Sequence, residues 1–191
     1  MLDKSVPYFE LYMVREEGTP LKEYGLPEGY SFSYFKSGDE KEWAKIEASV
    51  IEFSSEASAS EFFAETFLTF FPELERRCIF IENEKGEKIA TTMAWWEYVG
   101  VHRRPWIHWV AVKPEYQGMG LGKAVVAEAT RIMTDIEGEA DFYLHTQTWS
   151  HTAIRVYLDA GYMITDEPSL YKDKISDYQK GIDLLKSMDI L

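Results

Sequence analysis

Apolar positions along this chain change period several times, and each change marks an element. Tyr30 to Phe35 alternates as a half-buried strand does. Trp43, Ile46 and Val50 then recur at helical spacing behind Asp39-x-x-Glu42, a pattern that predicts a capped helix start. Ser58-x-x-Glu61 predicts a second start, with Phe63, Phe67, Phe70, Phe71 and Leu74 as the stripe and Pro72 as the point where the helix ends or kinks. Cys78 to Ile81 and Lys88 to Val99 are apolar runs flanking Asn83 to Glu87, a hairpin turn by composition. Gly100 to Arg104 turns the chain into a third run, Trp106 to Val112, which Lys113-Pro114 ends. A helical stripe follows at Val125, Val126, Ala129, Ile132 and Met133, and then Asp141 to Thr148 alternates as a strand. Ala153, Val156, Tyr157 and Ala160 form another stripe, closed by Gly161, before a short strand from Tyr162 to Thr165. Ile175, Tyr178, Ile182 and Leu185 mark a last helix. Ahead of all this, Tyr8 to Val14 reads as an edge strand, and Gly18 to Gly29, with Pro20 and Pro27, as a loop.

Composition narrows the class. A chain of 191 residues suits one domain with its own core. Its single cysteine, Cys78, forbids an internal disulfide, no apolar run reaches the length of a membrane span, and the first residues lack a basic-then-apolar leader. A cytoplasmic protein without a membrane partner is expected. The net charge of −13 argues against nucleic acid. It also disfavours any polyanionic ligand, unless Lys113, Lys123, Arg131 and Arg155 reverse the field locally. No His/Cys/Asp/Glu cluster has metal-ligand spacing, so no metal is expected.

One stretch carries recognisable chemistry. Between the third apolar run and its helix lies Gln117-Gly118-Met119-Gly120-Leu121-Gly122, then Lys123. A glycine turn opening a helix aims backbone N–H groups and the positive helix end at one spot, which suits a phosphate. Bare backbone is needed because a Cβ would hold the anion away. The spacing is G-x-G-x-G, which fails the G-x-G-x-x-G of dinucleotide folds. It fails the P-loop as well, since that motif wants glycine at Gln117 and Ser or Thr at Ala124. Together with Val112, Pro114, Tyr116 and Gln117, the stretch resembles the acyl-CoA-binding motif of the GNAT superfamily of N-acetyltransferases, V-x-P-x-[YR]-[QR]-G-x-G-x-G. The order of elements from Tyr30 to Thr165 is also the order that the family shows. Many relatives end with a seventh strand paired to the sixth, where this chain reads as a helix.

The resemblance implies a single-domain α/β (α+β) fold with a mixed, mostly antiparallel sheet splayed at the motif strand and flanked by helices. Residues 30–165 would form the acetyltransferase domain, 1–29 an N-terminal extension and 166–191 a C-terminal helical extension. It implies acetyl-CoA as co-substrate, a small-molecule or peptide amine as acceptor, direct attack in a ternary complex, and, as in many relatives, a homodimer. Val110, Ala111 and Val112 would pair with pantetheine, an N–H near Val112 polarising the thioester. Gln117, Gly118, Met119, Gly120, Leu121, Gly122 and Lys123 would hold the pyrophosphate.

A second family motif, Asn-x-x-Ala-x-x-x-Tyr, is matched by Ser150-x-x-Ala153-x-x-x-Tyr157, with serine replacing asparagine. It makes Tyr157 the group that assists sulfur departure, while Ser150 and Ala153 contact CoA. An acceptor amine near pKa 10.4 must lose a proton, a cost of about 4.6 kcal/mol at pH 7. For that task His108 is the candidate base. It shares a strand face with Trp106 and Val110 by period two, and a histidine holds the similar position in arylalkylamine N-acetyltransferases. Its ordinary pKa near 6.5 would suit the role. Glu97, near the end of the preceding run, is the rival, and His145 a further candidate. Trp95, Trp96, Trp106, Trp109 and Trp149 supply core or an aromatic acceptor pocket. A non-catalytic acyl-CoA-binding module is the alternative, and turnover of acetyl-CoA with any amine separates the two.

Overall fold

The computed structural model describes residues 2–171 and 176–191. Seven strands among them form one sheet, in the order β2-β3-β4-β5-β6-β1-β7. They are β1 Glu10–Arg15, β2 Ser31–Tyr34, β3 Cys78–Glu82, β4 Lys88–Val99, β5 His102–Val112, β6 Phe142–Gln147 and β7 Met163–Thr165. All neighbours run antiparallel except β5 and β6. That parallel contact is short, Trp106 opposite Tyr143 and Ile107 opposite Leu144. Beyond Ile107, β5 keeps its ladder to β4 while its other side leaves β6, and the sheet opens like a V. No described helix is long and apolar enough to cross a membrane.

Helices cover both faces. On one, α4 (Leu121–Glu137) buries Leu121, Val125, Ala129, Ile132 and Met133 against Ile79, Ala94 and Ile107, joined by α5 (His151–Asp159). On the other, α1 (Glu40–Ser49) and α2 (Glu56–Thr66) set Trp43, Ile46, Phe63 and Phe67 over Phe80, Met93 and Trp95. Periodicity located these helices, and α1 begins where Asp39-x-x-Glu42 places it. Asp39 stands at its N-cap but makes no side-chain capping bond; its carboxylate accepts the Lys36 N–H at 2.8 Å and lies 3.5 Å from the Lys88 ammonium. In α2 the capping box is Ser55 with Ser58, so the helix begins before the expected Ser58 start. Pro72 neither ends nor kinks that helix, which stops at Thr66. It sits in the first turn of a separate short helix, α3 (Phe71–Arg77), where no N–H is needed.

The N-terminal strand is the largest correction. Rather than an edge, β1 lies inside the sheet, Tyr12 opposite His145 on one side and Thr165 on the other. Leu11 and Met13 are fully buried on the α4 face, and Tyr12 is buried on the other, against Trp106 and Tyr143. Burial on both faces erases the alternation that would have announced an interior strand. In consequence β7 pairs with β1 and not with β6. The last helix, α6 (Tyr178–Ser187), packs on β1 through Gly181, where a Cβ would stand 2.7 Å from a Leu11 methyl. Ile175, expected on that helix, lies outside the described residues.

Candidate active site

A bulge in β5 builds the apex of the V. Thr91 faces Ala111 and Met93 faces His108, so Thr92 stands opposite two residues, Trp109 and Val110. Trp109 takes φ +55°, a left-handed conformation rare for a bulky residue. The Thr92 hydroxyl donates to the His108 carbonyl at 3.1 Å, serving a group at the interrupted ladder. Because the bulge adds a residue, the period-two reading fails across it. Trp106 and His108 share a face, their rings stacked at 6.3 Å, but Val110 packs on the opposite, α4 side. Trp109 turns instead toward Trp43, Phe53 and Phe62.

Two cavities meet at this apex. The first, about 510 Å³, is lined by Val110, Ala111, Val112, the turn from Gln117 to Lys123 apart from Met119, Ser150, Ala153 and Tyr157. Met119 points elsewhere, 42% exposed, its sulfur 4.0 Å from the Tyr30 hydroxyl. The turn is fixed by the Gln117 amide, which donates to the Val112 carbonyl at 2.9 Å. Gly118 and Gly120 have φ of +81° and +83°, and a Cβ on either would meet nothing within 4 Å. Glycine is therefore required by the backbone, and the space above it is open. Gly120 precedes the first turn of α4 without a side chain to cap it, so the helix presents its N-terminal N–H groups to this cavity. The donors fit a polyanion.

Side-chain cations contribute less than expected. Lys123 pairs with Asp159 at 2.8 Å, Arg131 with Glu128 at 2.6 Å and with Asp135, and Arg155 donates to the Asp189 carbonyl. The Asp159 carboxylate also accepts from Lys22 and from the Tyr24 hydroxyl, tying the loop before β2 to the mouth of the cavity. Burial and that bond push Tyr24 up to about 12, while Lys123 and Tyr24 hold Asp159 well below the usual carboxylate range.

The second cavity, about 620 Å³, continues on the far side of the apex and takes in His108, Glu97, His145, Glu10, Glu47, Trp106, Trp109 and Trp149. Of the other tryptophans, Trp95 is core and Trp96 is stacked on it at 4.3 Å, with the Arg77 and Arg103 guanidiniums over its ring. Both cavities share Leu2, Glu52, Val110, Ser150, Ala153 and Tyr157. Tyr157 is buried, and its hydroxyl makes no hydrogen bond among the described residues. Burial, then Glu52 and Glu47, raise its pKa above the ordinary value.

His108 is half-buried, its Nε2 atom itself buried and unbonded, 3.5 Å from a Glu97 carboxylate oxygen. The expectation of an ordinary imidazole is overturned. Desolvation, helped by His145, pushes it down to about 3 against a backbone bond at Trp96. With the ring held toward its neutral form, the Glu97 contact is no ion pair at rest. His145 lies 3.2 Å from Glu10 and against the Tyr12 ring.

Two carboxyls escaped the sequence reading. Glu47 is 1% exposed, its Oε1 without a partner, and burial with Glu52 nearby raises its pKa well above the ordinary carboxyl value. Its signal was available, because Glu47 stands four residues after Trp43 on the buried face of α1. Glu52 follows the helix in a loop and had none. Among the described residues no group of three or more His, Cys, Asp and Glu is placed to hold a metal.

Comparison with known proteins agrees with this architecture. The family model described as Acetyltransferase (GNAT) family matches residues 43–162. No curated protein matches the sequence. Among solved structures, a GCN5-related N-acetyltransferase from Sphaerobacter thermophilus is 22% identical with a TM-score of 0.62, covering 82% of this chain and 48% of that one. An acetyltransferase of the GNAT family from Colwellia psychrerythraea is 12% identical with a TM-score of 0.60, covering 84% and 55%. A GCN5-related N-acetyltransferase from Kribbella flavida is 22% identical with a TM-score of 0.54, covering 80% and 53%. The chain spans about half the length of these proteins, and the likeness is one of fold.

Proposed function

Because the chain belongs to the GNAT acetyltransferase family, we propose that it transfers an acetyl group from acetyl-CoA to an amine by direct attack in a ternary complex. The observation that carries this reading is the meeting of two cavities at Tyr157, one floored by the glycine turn and one by ionisable and aromatic side chains. Acetyl-CoA enters from the turn side. N–H groups at the start of α4 take its pyrophosphate, and the free side of β5 from Val110 to Val112 pairs with the pantetheine. The acceptor enters from the other side.

The amine nitrogen forms a bond to the thioester carbonyl carbon, and the C–S bond breaks. A backbone N–H near Val112 steadies the oxyanion. Tyr157 donates a hydrogen bond to the departing sulfur. Outright proton transfer from a tyrosine near 10 to a thiolate near 8.5 already runs uphill by about 2 kcal/mol, and burial widens the gap. The amine proton passes to the Glu97 carboxylate and on to water, while neutral His108 beside it accepts a hydrogen bond from the amine at its unbonded Nε2.

Calorimetry with acetyl-CoA, followed by thiol release over an amine panel, tests the reading. Micromolar binding and turnover of at least one amine are expected. A folded protein that does not bind acetyl-CoA would refute it.

A further inference from the structure

The acceptor cavity is lopsided in charge. Its described lining includes Glu10, Glu47, Glu52 and Glu97 against one lysine, Lys4. Glu10 lies by His145 and Glu97 by His108, but the Glu47 carboxyl has an oxygen buried without a hydrogen bond. An unpartnered buried oxygen of this kind is costly, and a donor brought by a ligand removes the cost. Position separates the two remaining carboxyls. Glu52 lines both cavities and so stands at the junction with Tyr157, whereas Glu47 lines the acceptor cavity alone. Trp109, Trp149 and Tyr8 line the same cavity, aromatic surface that accommodates methylene groups and cations.

Building on the acetyltransferase reading, we propose that the acceptor is a dication, a primary amine carrying a second ammonium group. The reacting nitrogen sits at Glu52, and the distal ammonium on the Glu47 carboxyl. Burial holds Glu47 and Glu52 toward their neutral forms, so each ionises fully only when a cation sits on it, and a carboxylate on the acceptor would oppose both. Glu47 is thus a specificity-determining residue that never touches the reacting atoms.

Three amines of matched length test the proposal: 1,4-diaminobutane, n-butylamine and 4-aminobutanoate. In the wild type kcat/KM should fall in that order, with the diamine ahead of the monoamine by tenfold or more. Glu47→Gln keeps the shape of the side chain. It should collapse that preference to threefold or less through the KM of the diamine, leaving n-butylamine turnover within threefold and acetyl-CoA affinity unchanged. Glu52→Gln should depress all three amines together. The proposal is overturned if the wild type ranks n-butylamine or 4-aminobutanoate level with the diamine, or if it binds acetyl-CoA but turns over none of the three. A uniform loss in Glu47→Gln also overturns it. Absence of acetyl-CoA binding in the wild type would instead defeat the acetyltransferase reading itself.

Discussion

Replacing Tyr157 with phenylalanine separates chemistry from packing because the two effects are expected to have opposite signs. The ring stays among the buried apolar groups of the α4 face, so its packing is retained. The hydroxyl removed makes no hydrogen bond among the described residues, and it reaches the place where the two cavities meet. Burying a hydroxyl without a partner costs about 1–3 kcal/mol in protein mutational data. This one borders open cavity, so the lower end applies, and Tyr157→Phe should gain up to about 1 kcal/mol. For a chain of this length that is a rise of roughly 2–4 °C in Tm. Sulfur departure, by contrast, loses its hydrogen-bond donor, and kcat should fall by roughly ten- to a thousandfold with acetyl-CoA affinity held. Thermal melts, calorimetry and single-turnover rates on the same preparation read all three. A kcat unchanged under conditions where chemistry limits turnover would return Tyr157 to the core. A melting point several degrees lower would show that the hydroxyl has a structural partner.

Other perturbations follow from the same geometry. Gly120→Glu puts a side chain with a negative charge into the open space above the turn and strains a φ of +83°, at about 1–2 kcal/mol; acetyl-CoA binding should vanish in calorimetry while the circular dichroism stays folded. His108 is held near 3 when folded and returns to about 6.5 when unfolded, so below pH 6.5 the unfolded chain takes a proton that the folded one refuses. The stability due to neutral His108 is complete above pH 6.5 and is lost as pH falls toward 3, by up to about 1.4 kcal/mol per pH unit. Denaturant titrations from pH 7 to 4 should show this slope in the wild type and a shallower one in His108→Gln, while NMR should find the His108 ring neutral down to pH 5. Gly181→Ala drives a methyl into Leu11 and should cost about 1–3 kcal/mol in a urea midpoint without altering kcat.

How much of this was legible depended on how far each signal reached along the chain. The glycine turn is local, so the residues from Val112 to Gly122 displayed it entire. Tyr157 and the α5 stripe were equally readable, since motif offset and helical period coincide there. Strand β1 was not. Its partners are more than a hundred residues away, and Glu-Leu-Tyr-Met-Val-Arg carries no alternation because both faces are covered. His108 and Val110 were assigned to one face because a bulge at Trp109 has no signature in a run of apolar residues. The ordinary pKa expected of His108 failed for a related reason, because desolvation is a property of what surrounds a ring and not of the ring. Glu47 left a trace as the acid on an apolar stripe, but nothing local shows that a cavity opens beside it.

The interior place of β1 bears on the order in which the molecule assembles. Residues 10–15 find their partners only at residues 142–147 and 163–165, so this half of the sheet is closed by the longest-range contacts described above. Closures of that span are slow, because the chain must lose the entropy of a large loop before any pairing rewards it. While the chain is being synthesised, β2 through β5 with α1 to α4 can associate in sequence. The strand that enters first must wait with Leu11 and Met13 uncovered. Glu10 and Tyr12 ride on that strand and His145 on its partner, so the acceptor cavity is completed at the last step of folding. The glycine turn proposed to receive acetyl-CoA lies between β5 and α4 and can form earlier, so a partly folded chain is expected to present that turn before the second cavity exists.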